Sequence, residues 1–114
     1  MAARRLARKR PQAVQDLVDI AAYLAEESGN DELGWRFLDA AEEALRHLAE
    51  MPGLGVTRQY NDPDLAGVRM WRVAGFPNHL IFYREVESGV DVIRVLHASR
   101  DIDAIFGAKN SSDD

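Results

Sequence analysis

The sequence predicts an α+β fold of β-α-α-β-β-β order, in which a short N-terminal strand and an antiparallel two-helix hairpin pack on an antiparallel sheet closed by a short helical turn. Two observations carry this. Apolar residues recur every three or four positions between residues 14 and 51, and from residue 68 they gather in short runs rich in β-branched and aromatic side chains. Glycine and proline breaks between these stretches separate elements short enough to pack as two layers.

Residues 4–8 form a short run ahead of Pro11, and proline opens a helix well because it lacks an N–H that the first turn would leave unpaired. Val14, Leu17, Val18, Ala21, Leu24 and Ala25 then mark one helical face that ends near Gly29. Asn30 is suited to cap the next helix, and Asp31 adds favourable charge to its first turn. The stripe of that helix is Phe37, Ala41, Ala44, Leu45, Leu48 and Met51, with Pro52 and Gly53 as the stop. So short a connection makes the helices an antiparallel hairpin, whose apolar stripes need a sheet to bury against. Residues 53–66, broken by Gly53, Gly55 and Pro63, read as a loop. Strands follow at Val68 to Val73, Leu80 to Val86 and Val90 to Leu96, separated by Gly75 to Pro77 and by Ser88 and Gly89. The Ser-Gly pair is a tight-turn signal that makes the last two strands antiparallel neighbours in a meander. Asp101 to Phe106 reads as the closing helical turn. Residues 1–109 are expected to form a single domain, and 110–114 a disordered polar tail.

Composition narrows the function. With 46% hydrophobic and 29% charged residues the chain has the balance of a globular protein, and no apolar run approaches the ~20 residues that span a bilayer. The expected compartment is the cytoplasm, with no membrane contact. Zero cysteines exclude disulfides and thiolate nucleophiles, and three scattered histidines offer no metal cluster, so neither metal nor cofactor is expected. No phosphate loop or Ser-His-Asp arrangement is present, and no catalytic residue is assigned. The net charge of −5 hides a partition: Arg4, Arg5, Arg8, Lys9 and Arg10 crowd the first ten positions, whereas residues 12–51 hold ten acids against Arg36 and Arg46. A protein that works by gripping nucleic-acid phosphates would present a broad basic face, so direct sequence-specific nucleic-acid binding is not expected. The basic arm reads instead as a charged edge strand.

The last strand runs Val92-Ile93-Arg94-Val95-Leu96-His97-Ala98-Ser99-Arg100-Asp101. It resembles the terminal strand of ParE-type toxins of the ParE/RelE superfamily, in which an arginine, a Val-Leu-His and an Arg-Asp follow in this order. Gly75-Phe76 leading into Leu80-Ile81-Phe82-Tyr83-Arg84 is similar to the family's preceding strand, and Asp16-Leu17-Val18-Asp19-Ile20 with Tyr23 to its first helix. The resemblance spans about residues 4–106. It implies the toxin of a type II toxin–antitoxin module, causing growth arrest and paired with a ParD-like antitoxin in a hetero-oligomer. ParE-like members bind and block DNA gyrase; the alternative within the superfamily is the RelE-like ribosome-dependent mRNA endonuclease. The nuclease pattern is departed from at two places: its arginine after the Gly-aromatic pair falls nearest His79, and its C-terminal tyrosine falls on Phe106, which has no proton to transfer. The gyrase reading is therefore preferred.

For target binding the candidates are Arg72, Arg84, Arg94, His97 and Arg100. The first three fall on different strands, where they either converge as an anion-reading patch or pair with Glu85, Glu87 and Asp91. A histidine is suited in general to act as a base near neutral pH, yet at a strand end the expected part of His97 is to organise the following turn through a ring hydrogen bond. Tyr23, Trp35 and Phe37 are the candidates for antitoxin contact on the hairpin, whose acidity calls for basic residues on the antitoxin. Tyr23, Trp35, Trp71 and Phe82 read as core or groove residues rather than base-stacking platforms, which would need basic neighbours.

Overall fold

The computed structural model describes residues 4–107; the tail expected at 110–114 and the last residues of the expected domain lie outside the described residues. Strand β1 (Leu6–Lys9) leads into α1 (Pro11–Ser28) and α2 (Asp31–Glu50), followed by β2 (Val56–Thr57), β3 (Arg69–Val73), β4 (Phe76–Val86), β5 (Gly89–His97) and α3 (Ile102–Phe106). Pro11 does open the first helix, and the Asn30 side chain accepts from the Glu32 N–H at 3.0 Å to cap the second. The hairpin is tight at one crossing, where a Cβ on Gly34 would lie 2.6 Å from the Ala21 carbonyl oxygen. Only a residue without a side chain fits there.

The sheet is mixed rather than antiparallel. Its order is β1-β5-β4-β3-β2, and β1 joins β5 in parallel, with Leu6 opposite Gly89 and Lys9 opposite Val92. A hairpin turn cannot bring parallel strands together; here the two helices serve as the crossover that carries the chain over the sheet. The β1 backbone presses so closely on Gly89, at φ 145°, that no side chain fits there. Part of the expected loop is also structured, because Val56 and Thr57 pair with Met70 and Arg69 as an edge strand. The predicted break at Gly75 to Pro77 is shorter than expected, since β4 starts at Phe76. Register slips between Arg72 and Val73, so Pro77 and Asn78 have no partner on β3 and the missing proline N–H breaks no ladder bond.

Both sheet faces are covered. On one, Phe37, Ala41, Leu45 and Leu48 from α2 and Ala13, Leu17 and Ala21 from α1 bury Ile81, Tyr83, Val92 and Val95. The α1 stripe therefore lies one position round from the reading above: Val14 and Val18 are exposed, as is Met51 at the end of α2. On the other face Leu80, Phe82, Ile93 and Leu96 are roofed by Leu65 and Val68 and by Phe106 of α3. The Phe106 ring sits 5.0 Å from those of both Phe82 and Tyr60. Tyr83 is wholly buried; its hydroxyl donates to the Pro52 carbonyl at 2.7 Å and accepts from the Gly55 N–H at 2.8 Å, tying the end of α2 to the sheet.

Three of the five basic residues of the arm are spent internally. Arg5 faces Glu85, Lys9 faces Glu42, and Arg10 reaches Asp91 at 2.7 Å and Asp64 at 2.8 Å. β1 lies at the sheet edge, and its charges fasten α2, β5 and the loop before β3 to that edge.

Candidate functional site

Beyond Lys9 the chain leaves the sheet for α1, so the outer edge of β5 loses its strand partner. Asp16 takes over that position. Its carboxylate accepts from the Val95 backbone N–H at 2.9 Å and from both Nε and Nη2 of Arg94, at 2.7 and 2.9 Å. A buried acid is tolerated only when its oxygens are satisfied and its charge is met, and this one has both. The clamp pins α1 to the far half of β5.

A cleft of about 370 Å³ opens beside the clamp, between α1 and the end of β5. Asp16, Asp19 and Tyr23 line its helix side; His79, His97 and Arg100 line the sheet side. His79 and His97 are cross-strand partners, with ring centroids 5.0 Å apart and planes nearly perpendicular. His79 is only 7% exposed, edge-on to Phe37, and its Nδ1 has no hydrogen-bond partner. Burial pushes its pKa below the ordinary value, and His97 adds in the same direction. His97 Nδ1 accepts from the Ser99 N–H at 2.9 Å, the turn-organising bond expected of it, which leaves the proton of its neutral form on Nε2. Asp101 caps α3 by accepting from the Ala104 N–H at 3.1 Å, and it makes no ion pair with Arg100. Arg100 is exposed and makes no ion pair among the described residues.

The candidate arginines do not converge. Arg84 shares Asp91 with Arg10, Arg72 donates to the Pro77 carbonyl at 2.8 Å, and Arg94 is held by Asp16. Of the acid partners expected for them only Asp91 is used, by Arg84; Arg72 takes a backbone carbonyl and Arg94 takes Asp16 instead of Glu85 or Glu87. The Asp91 pKa is held below the ordinary carboxylate value, mainly by its hydrogen bond from Arg10. His97 and Arg100 do meet, in the cleft, and Arg94 stands behind it as the holder of Asp16. Among the hairpin candidates Phe37 is 0% exposed, so it belongs to the core and offers no surface to a partner. Tyr23 and Trp35 are exposed at 59% and 66%. Trp35 borders an apolar groove of about 430 Å³ across the helices, with Val18, Ala22, Ala25 and Leu38. Tyr23 stands instead at the cleft.

Asp16 and His79 were not singled out as site residues by sequence reasoning. A signal for Asp16 existed: it stands between Ala13 and Leu17 on the face that turns inward, where an acid implies a buried partner. For His79 the hint was the resemblance, which put it nearest the nuclease members' arginine, whereas its burial had no sign in the pattern.

The family model described as the ParE toxin of the type II toxin–antitoxin system parDE matches residues 8–102. The chain belongs to the ParE toxin family. The match runs from the second half of β1 to the first residue of α3, and so takes in both the clamp and the cleft. No curated protein is significantly similar in sequence. Among solved structures, the chromosomal ParDE TA system from P. aeruginosa superposes with a TM-score of 0.65 at 17% identity, covering 82% of this chain and 95% of that one. At that identity the likeness speaks for the shared ParE fold. Among the described residues of this ParE-family chain, no helix is long and apolar enough to cross a membrane, and no group of three His, Cys, Asp or Glu is placed to hold a metal.

Proposed function

We propose that this ParE-family toxin acts by gripping DNA gyrase, and that a ParD-like antitoxin neutralises it by laying an amphipathic helix in the hairpin groove. The observation that carries the first part is the burial of Phe106. The position where nuclease members of the superfamily place a tyrosine is here a plug in the second apolar layer, packed on Phe82 and Tyr60 and without a titratable group. The scattered pairing of Arg72, Arg84 and Arg94 supports the same reading, since stabilising a cleaving phosphate needs cations that converge. For the second part, the P. aeruginosa structure bears the name of a toxin–antitoxin system. The groove beside Trp35 has the apolar floor of a helix-in-groove site, and the acids of residues 12–51 suit a basic partner.

The test is induction of the chain in growing cells. DNA damage signalling with filamentation, and mRNA left uncut, is the expected result; codon-positioned mRNA cleavage without DNA damage would overturn the gyrase reading. The antitoxin part is checked with Trp35→Ala, which should weaken antitoxin binding at least tenfold while leaving the denaturation midpoint nearly unmoved, because the ring is largely exposed.

A further inference from the structure

The cleft beside the Asp16 clamp holds a set of polar groups that the fold does not use. Asp16 is neutralised by Arg94, so the acid on the wall contributes little net charge. Opposite it stand two imidazoles and Arg100, which has no ion-pair partner among the described residues. The proton of neutral His97 is on Nε2 because Nδ1 accepts from Ser99. His79 Nδ1 is buried without a partner, and an orphaned acceptor costs less than an orphaned N–H, so its proton also belongs on Nε2. The sheet side of the cleft thus carries one fixed cation and two imidazole N–H donors. The helix side carries Ile20 and the ring of Tyr23, an apolar wall, and Asp19, whose one hydrogen bond comes from the neutral Gln15 amide at 2.8 Å.

We propose that this cleft is a carboxylate-binding site that takes a glutamate or aspartate side chain of a protein partner, with Arg100 as its ionic anchor and the imidazole N–H groups of His79 and His97 as further donors. The stem of the side chain lies against Ile20 and Tyr23. Among the described residues Arg100 is the one cation lining the cleft that has no ion pair, and Asp19 on the helix side is the one acid without one, so the site suits a single anion held at the Arg100 side. A nucleic-acid backbone fits less well, because its run of phosphates would face Asp19 and the acids of the hairpin with nothing further to neutralise them. Arginine forks match carboxylates bidentately, and a buried imidazole donor adds direction without adding charge. This rests on reading the Arg100 corner as the target-facing surface, but it concerns the chemistry of the site and is tested by direct binding.

The experiment is an NMR titration of the full chain, following the imidazole resonances of both histidines. The probes are N-acetyl-glutamate N-methylamide, its glutamine counterpart, and inorganic phosphate. Saturable shifts of His79 and His97 with the glutamate compound and much weaker ones with the other two are expected. Arg100→Gln should weaken the glutamate compound at least tenfold, and His97→Gln, at a partly exposed position, supplies a second variant that keeps the fold. Equal shifts with the glutamine compound would reduce the cleft to an apolar contact, preference for phosphate would make it a nucleic-acid site, and unchanged affinity in Arg100→Gln would remove the anchor; each overturns the proposal. Growth arrest separates the two layers: an Arg100→Gln chain that loses the glutamate compound but still arrests growth keeps the carboxylate site and loses its assignment to the target.

Discussion

At the scale of single residues, Asp16 and His79 hold the clearest consequences. Asp16→Asn keeps the shape but leaves the Arg94 guanidinium without its counter-charge. Breaking a buried pair from one side costs about 3 to 5 kcal/mol, and the low end applies because Arg94 keeps some solvent contact. A chemical denaturation midpoint checks this, and a change below about 1 kcal/mol would place the clamp among surface pairs. His79 makes a pH prediction. Its folded pKa lies below the ordinary value of 6.5, so between those two values the unfolded chain binds more protons than the folded one. Stability is therefore complete above pH 6.5 and declines as pH falls from there through the lowered folded value. Denaturation midpoints at several pH values should show this slope in the native chain and a flatter one in His79→Gln. The sequence made His97 legible, because a histidine closing a strand before a turn has an obvious backbone donor nearby. It offered Phe37 both as a stripe residue and as a partner contact, and burial assigns it to the stripe alone, since helical spacing does not say whether a ring meets the sheet or a partner.

At the scale of elements, the hairpin seam was the most readable part. Phe37, Ala41, Ala44, Leu45 and Leu48 are all buried, as the period of α2 requires. Leu48→Ala should lower stability by about 3 kcal/mol, within the ~2 to 5 kcal/mol range for truncating a buried leucine, and thermal melting of the variant would show it. The face of α1 was less readable because it carries two apolar rows. Ala13, Leu17 and Ala21 turn inward, while Val14 and Val18 turn outward, and spacing alone cannot rank rows of similar hydropathy. The parallel pairing of β1 lay beyond sequence reasoning for another reason: Leu6 and Gly89 carry no complementary signal, and only the crossing of the hairpin over the sheet brings them together.

At the scale of the whole molecule, the charge partition was visible but its use was not. The basic arm discourages edge pairing, as read, and it also neutralises Glu42, Asp64, Glu85 and Asp91. What remains unpaired is mostly the acid of the hairpin, so association with the proposed antitoxin, if its contact segment is basic, should be steered by charge. Its on-rate is expected to fall several-fold between low and physiological ionic strength while the off-rate changes little, measurable by stopped-flow fluorescence of Trp35. An on-rate insensitive to salt would leave the apolar groove as the only driving contact.

The β1–β5 pairing bears on how the molecule is made. Leu6 emerges from synthesis long before Gly89, its partner, exists. At ~5 to 20 residues per second, roughly 4 to 17 s pass with the first strand lacking its place, and non-local parallel pairing is intrinsically slow to form. The clamp and the cleft depend on the same late strand, because Arg94, His97 and Arg100 all lie past Gly89. The helical hairpin, whose contacts are local, can form first. A nascent chain would thus offer the proposed antitoxin groove before it possesses a finished cleft, so that capture during translation would precede any capacity to do harm.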